Sequence, residues 1–325
     1  MRHRALFLAI LLGLALLLGV TACQQLEQTV QAMQPEVRGV TLEWGEVTPQ
    51  SAEFTTTLLV YNPSPISLPV KRVTSEIFMD GIPMGSAETL DLRIEKQAEF
   101  PIRVSARIDN TKIPAFWAEH IRRQEKSEAQ IDTKATFDLG LTDFTFPFRV
   151  KRPITTDLLS PLSRMEPIRV EQAVRLPGAG GEAAVFRALV KSVSAQWGAV
   201  TEASTEVNLS AVVRNDNPYP LSVPGIAYHV DISGLALASG EAPLGLTVAP
   251  GAEAEVNTTV TLDTGRMGEW FASHIRNGER STFSFKVSLV LDLPPEVAGQ
   301  VGQERVLVPV WEGTQTFETS ILGGR

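Results

Sequence analysis

The sequence predicts an all-β protein that consists of two tandem β-sandwich domains, each with one short helix. Three observations support this fold class: the chain repeats itself, apolar and polar residues alternate with period two, and turn-forming residues interrupt the alternating segments at short intervals. The chain has 325 residues, 43% of them hydrophobic and 20% charged, which is a balance typical of globular proteins. At roughly 150 residues per domain, this length predicts about two domains.

The N-terminus has the pattern of an export signal. Arg2 and Arg4 precede the uninterrupted apolar segment 5–20. This segment is short for a transmembrane helix, which needs about 20 residues, and suits the apolar part of a signal peptide better. Small residues then lead to Cys23, the only cysteine of the chain, so no intrachain disulfide can form.

The string Val-Thr-Ala-Cys at 20–23 resembles a bacterial lipobox. The resemblance implies cleavage before Cys23 and attachment of acyl chains, such as palmitate, to this residue. We therefore predict a signal peptide at 1–22 and a lipidated N-terminal tether at 23–36. The alternative is a free cysteine at the end of an uncleaved anchor helix. Because Gln24, and not an aspartate, follows the cysteine, we expect a lipid-anchored protein of the cell envelope, held at the outer membrane and facing the periplasm.

Two segments 153 residues apart are similar without gaps. Residues 37–48 read VRGVTLEWGEVT, and residues 190–201 read VKSVSAQWGAVT. Further along, the string FWAEHIR at 116–122 matches WFASHIR at 270–276. Matches at one nearly constant offset are very improbable by chance, so the sequence predicts a duplicated domain.

The duplication sets the expected domain boundaries. The first sandwich is predicted at 37–160 and the second at 184–325, with a linker at 161–183 between them. The linker contains the stretch 176–181, which reads LPGAGG. Such a stretch is small and flexible, so we expect the two sandwiches to tilt relative to one another.

Each repeat alternates as a half-buried strand does. The inward-facing residues of one such strand occupy equivalent places in the two repeats: Phe54, Thr56, Leu58 and Val60 in the first, and Val207, Leu209, Ala211 and Val213 in the second. Hairpin tips are predicted at Asp80-Gly81 and Ser233-Gly234. A short helix is predicted in each repeat from apolar residues four apart: Ile113, Trp117 and Ile121, and then Met267, Phe271 and Ile275.

Asparagine- and proline-containing turns follow these strands. The first turn is Asn62-Pro63-Ser64-Pro65 and the second is Asn215-Asp216-Asn217-Pro218. With the strand before the turn and the glycine-bearing hairpin after it, this pattern resembles the water stress and hypersensitive response (WHy) domain of the group 2 late embryogenesis abundant proteins. Each turn departs from the usual Asn-Pro-Asn triplet by one residue.

The resemblance covers nearly all of the chain after the signal, as two copies. It implies an immunoglobulin- or fibronectin-like β-sandwich with a helix, no catalytic residues, and a role in protection under desiccation. Asn62, Pro63, Asn215, Asn217 and Pro218 are then candidate functional residues that present a ligand surface at one end of each sandwich. The alternative is that these turns serve backbone geometry, with asparagine bonding to nearby amides.

Other chemistry has little support in the sequence. His120 and His274 occupy equivalent places on the two helices, but a zinc site needs at least three ligands and no further ligand recurs, so we expect helix-face residues beside a tryptophan and no metal. Trp44 and Trp197 suit core positions better than sugar-stacking platforms. No nucleophile, base and orienting group can be assembled, so neither an enzyme nor a cofactor is expected.

The sequence therefore predicts a non-enzymatic, lipid-anchored envelope protein with tandem desiccation-protective domains. The membrane is its expected partner, through the N-terminal lipid. Nucleic acid is disfavoured as a partner because the net charge is −8. The alternative function is an envelope binding module that recognises a glycan, a lipid or a protein through the end loops of the sandwiches.

Overall fold

The computed structural model describes residues 35–138, 143–163, 166–175, 183–293, 295, 298–299 and 302–321. Predictions for the signal peptide, Cys23, most of the tether and the stretch 176–181 lie outside these residues. Within the described residues, no helix has the length and apolar character needed to cross a bilayer.

The first repeat is a sandwich of two antiparallel sheets, as the alternation predicts. One sheet has the order β1-β2-β5 and the other β4-β3-β6-β7. The strands are β1 (Glu36–Val47), β2 (Ser51–Tyr61), β3 (Leu68–Met79), β4 (Ile82–Ile94), β5 (Glu99–Asp109), β6 (Lys126–Asp138) and β7 (Asp143–Thr155). Helix α1 (Ile113–Arg122) lies between β5 and β6, and a single helical turn, α2 (Ser160–Ser163), follows β7.

The second repeat has the same plan. Its sheets have the orders β13-β10-β9-β8 and β12-β11-β14-β15. The strands are β8 (Ile168–Arg175), β9 (Ala183–Val200), β10 (Ser204–Asn215), β11 (Leu221–Ile232), β12 (Leu235–Val248), β13 (Glu253–Asp263), β14 (Arg280–Asp292) and β15 (Arg305–Glu318), with helix α3 (Met267–Arg276) between β13 and β14. The predicted all-β class, with two tandem sandwiches and one short helix in each, is confirmed.

The predicted turns lie where the strands reverse. Asp80 and Gly81 have φ values of 49° and 80° between β3 and β4, and Ser233 and Gly234 have 53° and 81° between β11 and β12. Left-handed backbone at both central residues is typical of the two-residue hairpin turns that match strand twist.

Part of the range predicted as a linker forms a strand instead. Residues 168–175 are β8, which pairs antiparallel with Ala183–Val190 of β9. Val170 is only 8% exposed and packs in the core of the second sandwich. In the sequence, the glycine-rich stretch 176–181 indicated a linker. The pairing of β8 with β9 is a tertiary contact, so the sequence pattern did not predict this strand.

The two sandwiches also share buried surface, so the structure differs from the free tilting expected of a flexible linker. Each sandwich has an apolar cluster of its own at the end away from the helices. A third cluster contains buried residues of both repeats and includes Trp117 of α1 and Phe271 of α3. The apolar faces of the helices therefore cover each other as well as their own sandwiches.

Candidate functional site

The contact region between the repeats, which we call the junction, is the most elaborate polar and aromatic site of the described chain. Its principal residues are Trp44, Trp117, Trp197, Trp270, Glu125 and Glu279. Trp117 and Trp270 meet edge to face with ring centroids 5.8 Å apart. Trp117 also meets Trp197 at 6.2 Å, and Trp44 meets Phe271 at 6.4 Å. Such aromatic pairs contribute about 0.5–1.5 kcal/mol beyond the area they bury.

A pair of equivalent hydrogen bonds crosses the junction in opposite directions. Trp44 of the first repeat donates its indole N–H to Glu279 of the second, with 3.1 Å between Nε1 and Oε1. Trp197 of the second repeat donates to Glu125 of the first at 3.0 Å. The repeats thus exchange equivalent bonds, as the two subunits of a symmetric dimer do.

Each glutamate also holds the chain that follows the last strand of its own repeat. Oε2 of Glu125 accepts from Thr156 Oγ1 at 2.7 Å and from the backbone N–H of Leu158 at 2.8 Å. Oε2 of Glu279 accepts from Thr319 Oγ1 at 3.1 Å and from the N–H of Ile321 at 2.5 Å. Three donors therefore meet each buried carboxylate, which offsets much of the cost of burying it.

The two histidines support these threonines. His274 lies between Ser281, at 2.8 Å from Nδ1, and Thr319, at 2.8 Å from Nε2. Because Thr319 donates to Glu279, its hydroxyl oxygen accepts from the histidine Nε2–H. Ser281 accepts from Trp270 Nε1 and so donates to Nδ1. The hydrogen bonds thus form one directed chain through a neutral imidazole.

Burial keeps that imidazole neutral, since it lowers the pKa of His274 to about 4. His120 has the equivalent place, with Ser127 at 2.7 Å from Nδ1 and Thr156 at 2.9 Å from Nε2. Burial lowers its pKa as well, although Glu125 and Asp80 act in the opposite direction. Both histidines lie beside helix tryptophans, at 6.4 Å from Trp117 and 5.2 Å from Trp270.

One departure of the junction from two-fold symmetry is a complementary pair. Trp117 donates its indole N–H to Thr205 at 3.0 Å, and Thr205 also contacts Thr264 at 2.7 Å. At the equivalent places, Phe271 has no such donor and Ala52 has no acceptor. A donor and its acceptor are thus present together on one side and absent together on the other, which avoids an unpaired buried group.

The backbone that presents each glutamate is left-handed. Gln124 and Glu125 have φ values of 56° and 61°, and Gly278 and Glu279 have 68° and 60°. Glycine takes this conformation without the steric cost that other L-residues bear. The second repeat therefore has the unstrained residue at the first of the two positions, whereas the first repeat does not.

We expect Gln124→Gly to raise the free energy of unfolding by about 0.5–1 kcal/mol, because relief of left-handed strain exceeds the added entropy of the unfolded chain. The reciprocal Gly278→Gln should lower it by about 1 kcal/mol. Urea unfolding of both variants checks this. Two changes with the same sign would contradict it.

The asparagines among the candidate turn residues form hydrogen bonds within their own repeats. Asn62 and Asn215 are fully buried, and their Nδ2 groups donate to Ile66 O and Tyr219 O, each at 2.8 Å. Asn217 binds the backbone N–H and C=O of Arg187, each at 2.8 Å, and so fastens its turn to β9. Pro63 and Pro218 lie in the same turns. These contacts serve backbone geometry, and a ligand role for the turns stays a prediction.

Among the described residues, no group of three or more histidines, cysteines or carboxylates is placed to hold a metal ion. The histidines and glutamates of the His–Thr–Glu chains are buried, the threonines are half-buried, and all of them have internal partners. Their hydrogen bonds orient the tryptophans and the segments that follow β7 and β15.

Sequence reasoning missed the glutamates, although a signal was present. The match between the helices continues past Arg122 and Arg276, where RRQEKS at 122–127 aligns with RNGERS at 276–281. This alignment contains Glu125 with Glu279 and Ser127 with Ser281. Only the structure shows that each glutamate binds the tryptophan of the other repeat.

Fold and junction together define a class of protein: a tandem β-sandwich protein whose repeats are joined by reciprocal Trp–Glu bonds. A family model described as Late embryogenesis abundant protein (LEA_2) matches residues 57–152 and 211–297, once in each repeat and over more than half of the chain. The chain therefore belongs to the late embryogenesis abundant protein family. Membership indicates a water-stress-related protein of a generally non-enzymatic family.

Solved structures are similar to part of the chain. The crystal structure of a protein from Archaeoglobus fulgidus is 28% identical and has a TM-score of 0.35, with the alignment covering 40% of this chain and 97% of that one. The solution structure of an Arabidopsis thaliana protein is 16% identical with a TM-score of 0.31, covering 38% of this chain and 84% of that one. No curated protein matches the sequence.

Proposed function

We propose that this chain is a lipid-anchored envelope protein whose tandem WHy-type domains protect neighbouring envelope components when water is lost. The observation that carries the proposal is the family match, which covers both repeats. The proposed anchor is Cys23, because it is the only cysteine and follows a lipobox-like string. Two or more acyl chains hold a protein stably at a membrane, and one chain holds it only marginally.

The described surface is consistent with a protective role. Many outward positions of the strands are polar or charged, and ion pairs such as Arg149–Asp132 and Lys151–Glu128 lie along them. The net charge is −8, so like charge opposes association between copies. The junction should keep the two sandwiches together as drying concentrates the protein, because its helix tryptophans are buried and its reciprocal Trp–Glu bonds are partly buried.

Deletion of the gene is expected to lower survival and increase envelope leakage after controlled drying and rehydration. Wild-type protein should restore both, whereas Cys23→Ala should restore neither, because an unanchored protein leaves its site of action. Viable counts and release of a periplasmic marker measure the effect. Intact mass of the membrane-extracted protein reports acylation directly. Unchanged survival of the deletion strain would remove the main support for the proposal.

A second function, binding of an envelope glycan, is favoured by a cleft beside the junction. The cleft has a volume of about 640 Å³ and lies between the end of α1, the chain around α2, and β9. Trp197 offers an aromatic surface there, and Gln124 and Gln196 have exposed amides. Aromatic faces with nearby amides suit sugars. Saturable retention on peptidoglycan that Gln196→Ala abolishes would favour this function over protection.

A further inference from the structure

An apolar pocket lies between the two sheets of the second repeat. Its volume is about 60 Å³. Its walls come from β9, β10 and β13 on one sheet and from β11, β14 and β15 on the other. Except for the hydroxyls of Ser210 and Thr258, all the lining side chains are apolar, and they include Val193, Leu209, Ala211, Phe285, Val287 and Trp311.

Solvent reaches the inside of this sandwich. Leu209 and Ala211 point inward from the central strand β10, yet both are only half-buried, as is Val287 on β14. The first repeat differs at the equivalent places on β2, where Thr56 is 4% exposed and Leu58 is 3% exposed. The same fold is therefore closed in one copy and open in the other.

Strand register identifies a residue that opens the second copy. Leu58 pairs with Val40 on one side and Ile102 on the other. Ala211 pairs with Val193 and Val256, which occupy the same places in the second repeat. An alanine thus stands where the first repeat has a leucine, and at the next inward position Leu209 stands where the first repeat has Thr56. Empty core volume costs stability, and one leucine side chain would occupy much of the pocket. The packing of this fold therefore does not require the pocket to be open.

The mouth of the pocket lies at one edge of the sandwich. Among the described residues, β8 pairs with β9 only as far as Val190, and Val193, three positions further along β9, is half-buried. Trp311 of the edge strand β15 packs against Phe285 with ring centroids 5.4 Å apart. Its indole lies against Gly313, where any Cβ would collide with the ring. Unlike the other four tryptophans, Trp311 makes no indole hydrogen bond among the described residues.

We propose that this pocket binds the end of an unbranched hydrocarbon chain, which enters between Val193 and Trp311 and leaves its polar head outside. An almost wholly apolar lining offers no partners to buried polar groups of a ligand. The volume is well below the roughly 150 Å³ of an engineered cavity that accepts benzene. A narrow chain end therefore fits the pocket better than a ring. This site goes beyond the protective function and does not depend on it.

The test uses full-length protein with labelled methyl groups, titrated with dodecanoate below its micelle concentration and followed by NMR. We expect saturable shifts at the methyls of Val193, Leu209 and Val287, and none at those of Val40 and Leu58. The cage-shaped 1-adamantanecarboxylate carries the same carboxylate on a wider body and should cause no such shifts.

Two matched variants import residues of the first repeat. Ala211→Leu fills the pocket and should weaken dodecanoate binding about tenfold or more. Thr259→Ser introduces the counterpart of Ser105 on the exposed face of β13, outside the pocket, and should leave binding unchanged. If Ala211→Leu does not fold, the wild-type shifts still decide the question. Absence of saturable shifts, equal binding by folded Ala211→Leu, or equal binding of the cage compound would overturn the proposal. The drying test is independent of this outcome.

Discussion

Replacement of Glu279 by alanine is expected to lower the free energy of unfolding by about 3–5 kcal/mol, because three donors lose their acceptor in one step. Those donors are Trp44 Nε1, Thr319 Oγ1 and the backbone N–H of Ile321. Glu279 is only 9% exposed, so water cannot readily replace the carboxylate. The loss should fall on both repeats, since Trp44 belongs to the first and the other two donors to the second. Urea unfolding followed by circular dichroism measures it.

Matched variants separate the junction from a general charge effect. Glu241→Ala removes an exposed carboxylate of β12 and should change stability by less than about 0.5 kcal/mol. Trp44→Phe removes only one of the three donors and should cost less than Glu279→Ala. The double variant Trp44→Phe/Glu279→Ala then reports the coupling across the junction. Additive losses would mean that the Trp44–Glu279 bond does not couple the repeats.

Acidification from pH 7 to pH 4 is expected to remove about 3 kcal/mol of stability through His274 alone. Burial lowers the pKa of this histidine to about 4 in the folded protein, from 6.5. Between these two values the unfolded chain binds a proton that the folded chain does not. Stability is therefore complete above about pH 6.5, decreases as the pH falls, and levels off for this group below about pH 4.

The variant His274→Gln isolates this contribution. Glutamine retains a donor that can face Thr319 but does not titrate. Between pH 7 and pH 4, the free energy of unfolding of this variant should therefore change by about 3 kcal/mol less than that of the wild type. Urea titrations at several pH values give the comparison. Parallel curves for wild type and His274→Gln would contradict the prediction.

The two variants address different parts of one hydrogen-bonded chain. Protonation of His274 turns Nδ1 into a second donor, so Ser281, which now donates to this nitrogen, can no longer keep its present direction. Ser281 also accepts from Trp270, whose ring meets Trp117 of the other repeat. Acid is therefore expected to weaken the contact between the sandwiches as well as the second sandwich itself.

Local patterns predicted most of the fold because their causes are local. Period-two alternation indicates strands with one buried face, and β2 shows it without interruption from Ser51 to Tyr61. Residues four apart predicted the helices: Ile113, Trp117 and Ile121 are at most 3% exposed. The hairpin tips followed from residues that tolerate left-handed backbone. The repeat at a nearly constant offset gave the number of sandwiches.

Tertiary structure decided how the two copies meet. Nothing near Trp44 in the sequence indicates Glu279, which is 235 residues away. Strand β8 and the open pocket at Ala211 likewise depend on which segments lie side by side after folding. Alternation, turns and repeats arise from short-range sterics and the burial of one face, which a single chain segment expresses. Contacts between distant segments require the complete fold, so only the three-dimensional structure shows that the repeats are reciprocally bonded.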